Sequence, residues 1–158
     1  MNLIKQTLIA CIVMIASYQI TTYAATNSPV GTWQTIDDVS GKPKALIQIQ
    51  LAQDNSLIGK VIKVFPQPGK EMHEVCEKCK GEKHNQPIVG MSVLSGLKAT
   101  DKNQWGKGEI LDPANGKTYH CTARLSDKGD KLNVRGYIGM PLLGRSQTWM
   151  RIEDNNIG

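Results

Sequence analysis

Lys44-Ala45-Leu46-Ile47-Gln48-Ile49-Gln50-Leu51 sets Ala45, Ile47, Ile49 and Leu51 on one side of an extended chain and Gln48 and Gln50 on the other. A period of two is the signature of a half-buried β-strand, because successive side chains point to opposite faces. Gln53-Asp54-Asn55-Ser56 then reverses the chain. The next run, Leu57 to Phe65, is apolar on both sides, with Ile58, Ile62 and Val64 on one and Leu57, Val61 and Phe65 on the other. Cover on both faces places such a strand inside a sheet.

Outward from this hairpin the signal recurs. Gly31 to Asp37 precedes it, and Ile88 to Leu94, Glu109 to Asp112, Lys117 to Leu125, Lys131 to Tyr137 and Arg145 to Ile152 follow. Pro113-Ala114-Asn115-Gly116 and Ser126 to Asp130 supply turns; Asn and Gly tolerate the left-handed backbone that a tight reversal needs. No stretch of a dozen residues repeats apolar positions at three and four, so long helices are not expected. About eight antiparallel strands in a single domain make an all-β barrel or a sandwich.

The first 24 of the 158 residues read as a cleavable export signal: Lys5, an apolar run from Leu8 to Ala16, then Thr22-Tyr23-Ala24 before Ala25. The mature chain, residues 25–158, is expected in the periplasm, and no segment of it approaches the roughly 20 apolar residues of a transmembrane helix. Leu8-Ile9-Ala10-Cys11 has the outline of a lipoprotein box. Cutting there would leave few apolar residues before Cys11 and put Ile12 to Ile15 at the new start, so lipid anchoring at Cys11 is the less favoured reading. The net charge is +5, and its lysines are spread without a basic run, so no nucleic-acid partner is expected.

Gly31-Thr32-Trp33 and Trp149-Met150-Arg151, at the two ends of the strand series, tip the choice toward a barrel. In lipocalin-like barrels a G-x-W on the first strand and an arginine on the last meet where the wall closes, and the chain resembles this at Trp33 and Arg151. A fuller resemblance runs from Gly31 to Ile152. It is carried by Gly31-Thr32-Trp33, Cys76-Glu77-Lys78-Cys79-Lys80-Gly81, Pro87-Ile88-Val89-Gly90-Met91, Ile110-Leu111-Asp112-Pro113, Asn115-Gly116-Lys117-Thr118-Tyr119, Arg135-Gly136-Tyr137-Ile138-Gly139 and Gly144 to Arg151. Through these blocks the chain resembles the uncharacterised exported bacterial family called domain of unknown function 2147. The resemblance implies export and a lipocalin-like up-and-down barrel, and it carries no activity.

Between the third strand and Ile88 lies a long segment without alternation, which something should hold in place. Cys76-Glu77-Lys78-Cys79 sits in it, between His73 and His84. One reading is a Cys76–Cys79 disulfide, as an oxidising compartment favours, with Cys121 left as a buried inert thiol. A second takes His73, Cys76, Cys79 and His84 as tetrahedral zinc ligands, although structural zinc sites usually draw their ligand pairs from separate elements. A third is thiol exchange, which lacks the βαβ context that usually activates such a pair.

No catalytic constellation is visible, so a non-enzymatic protein without a cofactor is expected. His120 falls on the polar face with Thr122 and Arg124, Asp37 and Asp38 precede a turn, and Asp112 precedes Pro113. Phosphate and dinucleotide fingerprints are missing. A ligand site has better support. Arg145, Gln147, Trp149 and Arg151 share one face of the last strand, and if it points inward, Arg145, Gln147 and Trp149 with Tyr119 would receive a small apolar or anionic ligand. Met140-Pro141-Leu142-Leu143-Gly144 is then a portal, a partner contact or a plug over the barrel end. The alternative is a solid barrel whose cysteine loop contacts an envelope protein.

Overall fold

Alternating strands become one continuous wall. A computed structural model describes residues 28–153 apart from 68, 70 and 71; the export signal and Cys11 lie outside the described residues. The strands are β1 (Gly31–Ile36), β2 (Pro43–Leu51), β3 (Leu57–Val64), β4 (Ser92–Asp101), β5 (Gln104–Asp112), β6 (Lys117–Leu125), β7 (Lys131–Tyr137) and β8 (Arg145–Ile152). Each pairs antiparallel with the next, and β8 returns to β1 with Trp33 opposite Arg151, closing an up-and-down barrel.

Two strands differ from the sequence reading. β4 begins at Ser92 and runs to Asp101, and β5 begins at Gln104, well before Glu109. Gly96, Gly106 and Gly108 resemble breaks in sequence but lie within these strands. A Cβ on Gly108 would fall 2.5 Å from Leu97 Cγ, so its hydrogen makes room for a large neighbour across the ladder. Gly96, at φ +68°, takes a left-handed kink within β4 that side chains resist. Ile88 to Met91 is instead an irregular approach to β4, tied to β3 by Gly90 N–H to Val61 O (2.7 Å) and Val61 N–H to Met91 O (3.0 Å).

The inward faces meet in a core that is packed at one end. Trp33, Ile49, Leu57, Leu97, Leu125 and Leu132 are all but inaccessible there. Leu51, expected to face inward with Ile47 and Ile49, is 59% exposed, because β2 ends there at the turn into β3. Seven connections join the eight strands at alternating ends. The β1–β2 turn, the long segment 65–91, the β5–β6 turn and the β7–β8 connection gather at the opposite end from this packed floor.

Trp33 and Arg151 seal the floor. The Arg151 guanidinium lies 4.3 Å from the Trp33 ring centroid and donates to three carbonyls: Nε to Gly129 (2.6 Å), Nη1 to Val30 (2.9 Å) and Nη2 to Ser28 (2.6 Å). Trp33 Nε1 donates to Pro29 O at 2.8 Å, so no indole proton is stranded in the core. Gly31 completes the motif: at φ +136° it occupies backbone space that side chains rarely enter, and a Cβ would sit 2.7 Å from Arg151 Nη1.

Candidate functional site

The opposite end is open. Ile47, Val61, Val93, Ile110, Val134 and Trp149 form the apolar wall of a cavity of about 460 Å³, so the barrel is not solid. These side chains come from β2, β3, β4, β5, β7 and β8, with Val93 lying at a register shift in the β3–β4 ladder. Gly136 also faces the cavity, where a Cβ would meet Ile110 Cγ2 at 3.4 Å and Tyr119 Cβ at 3.5 Å. The space in front of it is kept open by the missing side chain.

Polar groups collect at the mouth. Trp149 is buried, Gln147 half-buried and Arg145 exposed, a gradient along one face of β8 from core to rim. Arg145 Nη2 lies 2.8 Å from Asp38 Oδ2, and Gln147 Nε2 donates to the same oxygen at 2.9 Å. Trp149 Nε1 donates to Gln147 Oε1 at 3.3 Å, which continues the chain of hydrogen bonds inward. Across the mouth, Tyr119 OH accepts from Asn115 Nδ2 at 3.1 Å. Arg145, Gln147, Trp149 and Tyr119, separated in sequence, thus line one cavity.

Asp38 is what sequence reasoning missed. It looks like a turn residue, and the turn is in fact held by Asp37, whose Oδ1 accepts from Val39 N–H (3.2 Å) and Ser40 N–H (2.8 Å). Asp38 is thereby released toward Arg145. Only the β1–β8 closure brings the two together, and no local pattern announces it. Asp112 keeps its expected turn role, accepting from Ala114 N–H at 3.0 Å.

Segment 65–91 flanks the mouth. Cys76 and Cys79 form a disulfide with their Cα atoms 5.4 Å apart, and both are buried. Val75 bridges to Pro87, Cys76 N–H donates to Gln86 O (2.9 Å) and Asn85 N–H to Cys76 O (3.0 Å), making a small closed loop around the disulfide. That loop seats on the β5–β6 turn: Cys76 Sγ is 3.4 Å from Pro113 O, and a Cβ on Gly116 would collide with the Lys78 carbonyl. Disulfide formation removes both sulfurs from the zinc ligand set. Of the two histidines, His84 Nδ1 lies 3.1 Å from the Cys79 carbonyl, whereas His73 lies 3.8 Å from Glu77 in solvent. Burial of both sulfurs also works against thiol exchange, which needs an accessible sulfur.

Cys121 is a free thiol enclosed by the wall, and burial pushes its pKa up from 9.0 to about 12. His120 is exposed on the outer face, its ring centroid 5.6 Å from that of Tyr137 on the neighbouring strand. The Met140–Gly144 connection stands away from the mouth and does not plug it: Leu142 is 88% and Leu143 78% exposed.

A family model described as an uncharacterized protein conserved in bacteria, DUF2147, matches residues 31–151. The chain belongs to the DUF2147 family. The matched span covers β1 to β7, β8 as far as Arg151, and both ends of the Trp33–Arg151 seal. Among solved structures, this DUF2147 barrel is similar to protein HP1028 from Helicobacter pylori, described as belonging to the lipocalin family. The TM-score is 0.69 at 20% identity, over 82% of this chain and 86% of that one. At that identity the likeness concerns the fold. No curated protein matches the chain. No helix among the described residues is long and apolar enough to cross a membrane.

Proposed function

We propose that this DUF2147 protein is an exported, non-enzymatic barrel that acts in the periplasm by binding a small amphiphile, its apolar part among Ile47, Val61, Val134 and Trp149 and an anionic head at Arg145. The observation that carries this reading is the apolar cavity of about 460 Å³ with Arg145, Gln147 and Asp38 joined at its mouth. A cavity of this size falls within the range of small-molecule sites, which are apolar with a few placed polar groups. Asp38 holds the guanidinium while the site is empty. An incoming carboxylate takes over Arg145 in the same geometry, because guanidinium recognises planar carboxylates through paired N–H donors.

Native mass spectrometry of the mature protein recovered from its own cells without reductant tests the reading, alongside titration with decanoate, decanol and decylamine followed by Trp149 fluorescence. A stoichiometric adduct, decanoate binding best, and loss of both in Gly136→Leu are expected. A bare mass together with no response to any of the three probes would refute it.

A further inference from the structure

The β7–β8 connection is apolar, exposed and nevertheless held rigidly. Ile138, Met140, Leu142 and Leu143 are 65, 66, 88 and 78% exposed. Beneath them Arg135 grips the backbone: Nε donates to Pro141 O (2.7 Å), Nη2 to Leu142 O (3.1 Å) and Nη1 to Ser146 Oγ (2.9 Å). A charged side chain fixes the carbonyls of a short 3-10 turn, Pro141–Leu143, while its two leucines project into water. Exposed apolar clusters of this kind mark contact surfaces.

Next to this spur is a second cavity, of about 360 Å³, outside the barrel. Ile138 forms one side of it, and Lys80, Lys83 and Lys117 belong to a lining that contains no carboxylate, with Lys83 Nζ donating to Ser92 O at 3.0 Å. Its floor is firm, since Cys79 belongs to the disulfide loop and Gly116 to the turn on which that loop is seated.

We propose that the spur and the lysine cavity together form a docking surface for an anionic lipid bilayer. Leu142 and Leu143 enter the boundary between headgroups and acyl chains, and Lys80, Lys83 and Lys117 take the phosphates. Charge complementarity selects this occupant, because clustered lysines beside an apolar segment are attracted to anionic headgroups while the apolar side chains partition into the interface. Projecting leucines need no shape-matched counterpart in a fluid bilayer, whereas a protein partner would have to supply a pocket for each. β8 starts immediately after the spur at Arg145, so docking holds the open end of the barrel toward the membrane.

The test is co-sedimentation of the chain recovered after export with phosphatidylcholine vesicles, with and without about one third phosphatidylglycerol. Binding about tenfold stronger to the anionic vesicles, falling as salt rises, is expected. Two variants, Leu142→Asp with Leu143→Asp, and Lys80→Glu with Lys83→Glu and Lys117→Glu, should each lose it with unchanged urea midpoints, since all five side chains are exposed. Gly136→Leu, which blocks the inner cavity, should sediment as the parent does, which separates docking from ligand binding. Equal binding to neutral vesicles, no binding to either, or variants that bind undiminished would overturn the proposal. So would self-association dispersed by the leucine substitutions, which would give the spur to a second copy of the chain.

Discussion

Arg151 does three jobs with one guanidinium: it covers the Trp33 ring, fills the space that Gly31 leaves, and caps carbonyls from two separate loops. Removing it leaves those carbonyls short of donors at the barrel floor. Arg151→Ala should therefore lower unfolding stability by about 2–4 kcal/mol, the scale of charge-assisted hydrogen bonds plus a cation–π contact, read from urea denaturation. Arg151→Lys should recover only part, because an ammonium cannot make the forked contacts. Cys121 gives a second prediction at this scale. With its pKa raised from 9.0 to about 12, the folded chain at pH 9 holds about a five-hundredth as much thiolate as an ordinary cysteine. Alkylation by iodoacetamide at that pH should follow unfolding. The sign is fixed by linkage: the thiol's contribution to stability is complete below pH 9 and is lost as pH rises toward 12.

Among the elements, the disulfide loop and the turn beneath it behave as a unit. Its short ring contributes about 2 kcal/mol by loop entropy, so Cys76→Ser with Cys79→Ser should shift the barrel's urea midpoint modestly. The larger effect should be faster proteolytic cutting within residues 72–91. Gly116→Ala should show the same cutting with the disulfide intact, since the added methyl meets the Lys78 carbonyl. How far such elements are legible in sequence depends on whether their cause is local. Lys44 to Leu51 announces β2 because burial on one face imposes its period on adjacent residues. Gly31, Trp33 and Arg151 mark the seal because a steric requirement is written as a residue type. β4 and β5 were obscured because Gly96 serves a kink within its strand while Gly106 and Gly108 answer to neighbours on the facing one, and a glycine chosen for close approach looks like one chosen for a turn. The Asp38–Arg145 pair was illegible for a similar reason: it exists only once the last strand has met the first.

For the whole molecule, an asymmetry between the two ends organises everything else. Leu57, Leu97, Leu125 and Leu132 pack together at one end, while at the other Gly136 and the open mouth leave a cavity. Stability therefore resides mainly in the floor, and mouth substitutions should be nearly silent in denaturation. Arg145→Ala should move the urea midpoint little, because its partner Asp38 is solvated at the rim, while weakening decanoate binding about tenfold. Thr32 pairs with Ile152 across the seam, so the first and last strands finish as neighbours on the floor side. The wall has no privileged starting strand. Joining those ends with a short linker and cutting the chain at Asp54-Asn55 should yield a circular permutant with the same barrel, and anything fused to either natural end would hang beneath the cup and leave its mouth unobstructed.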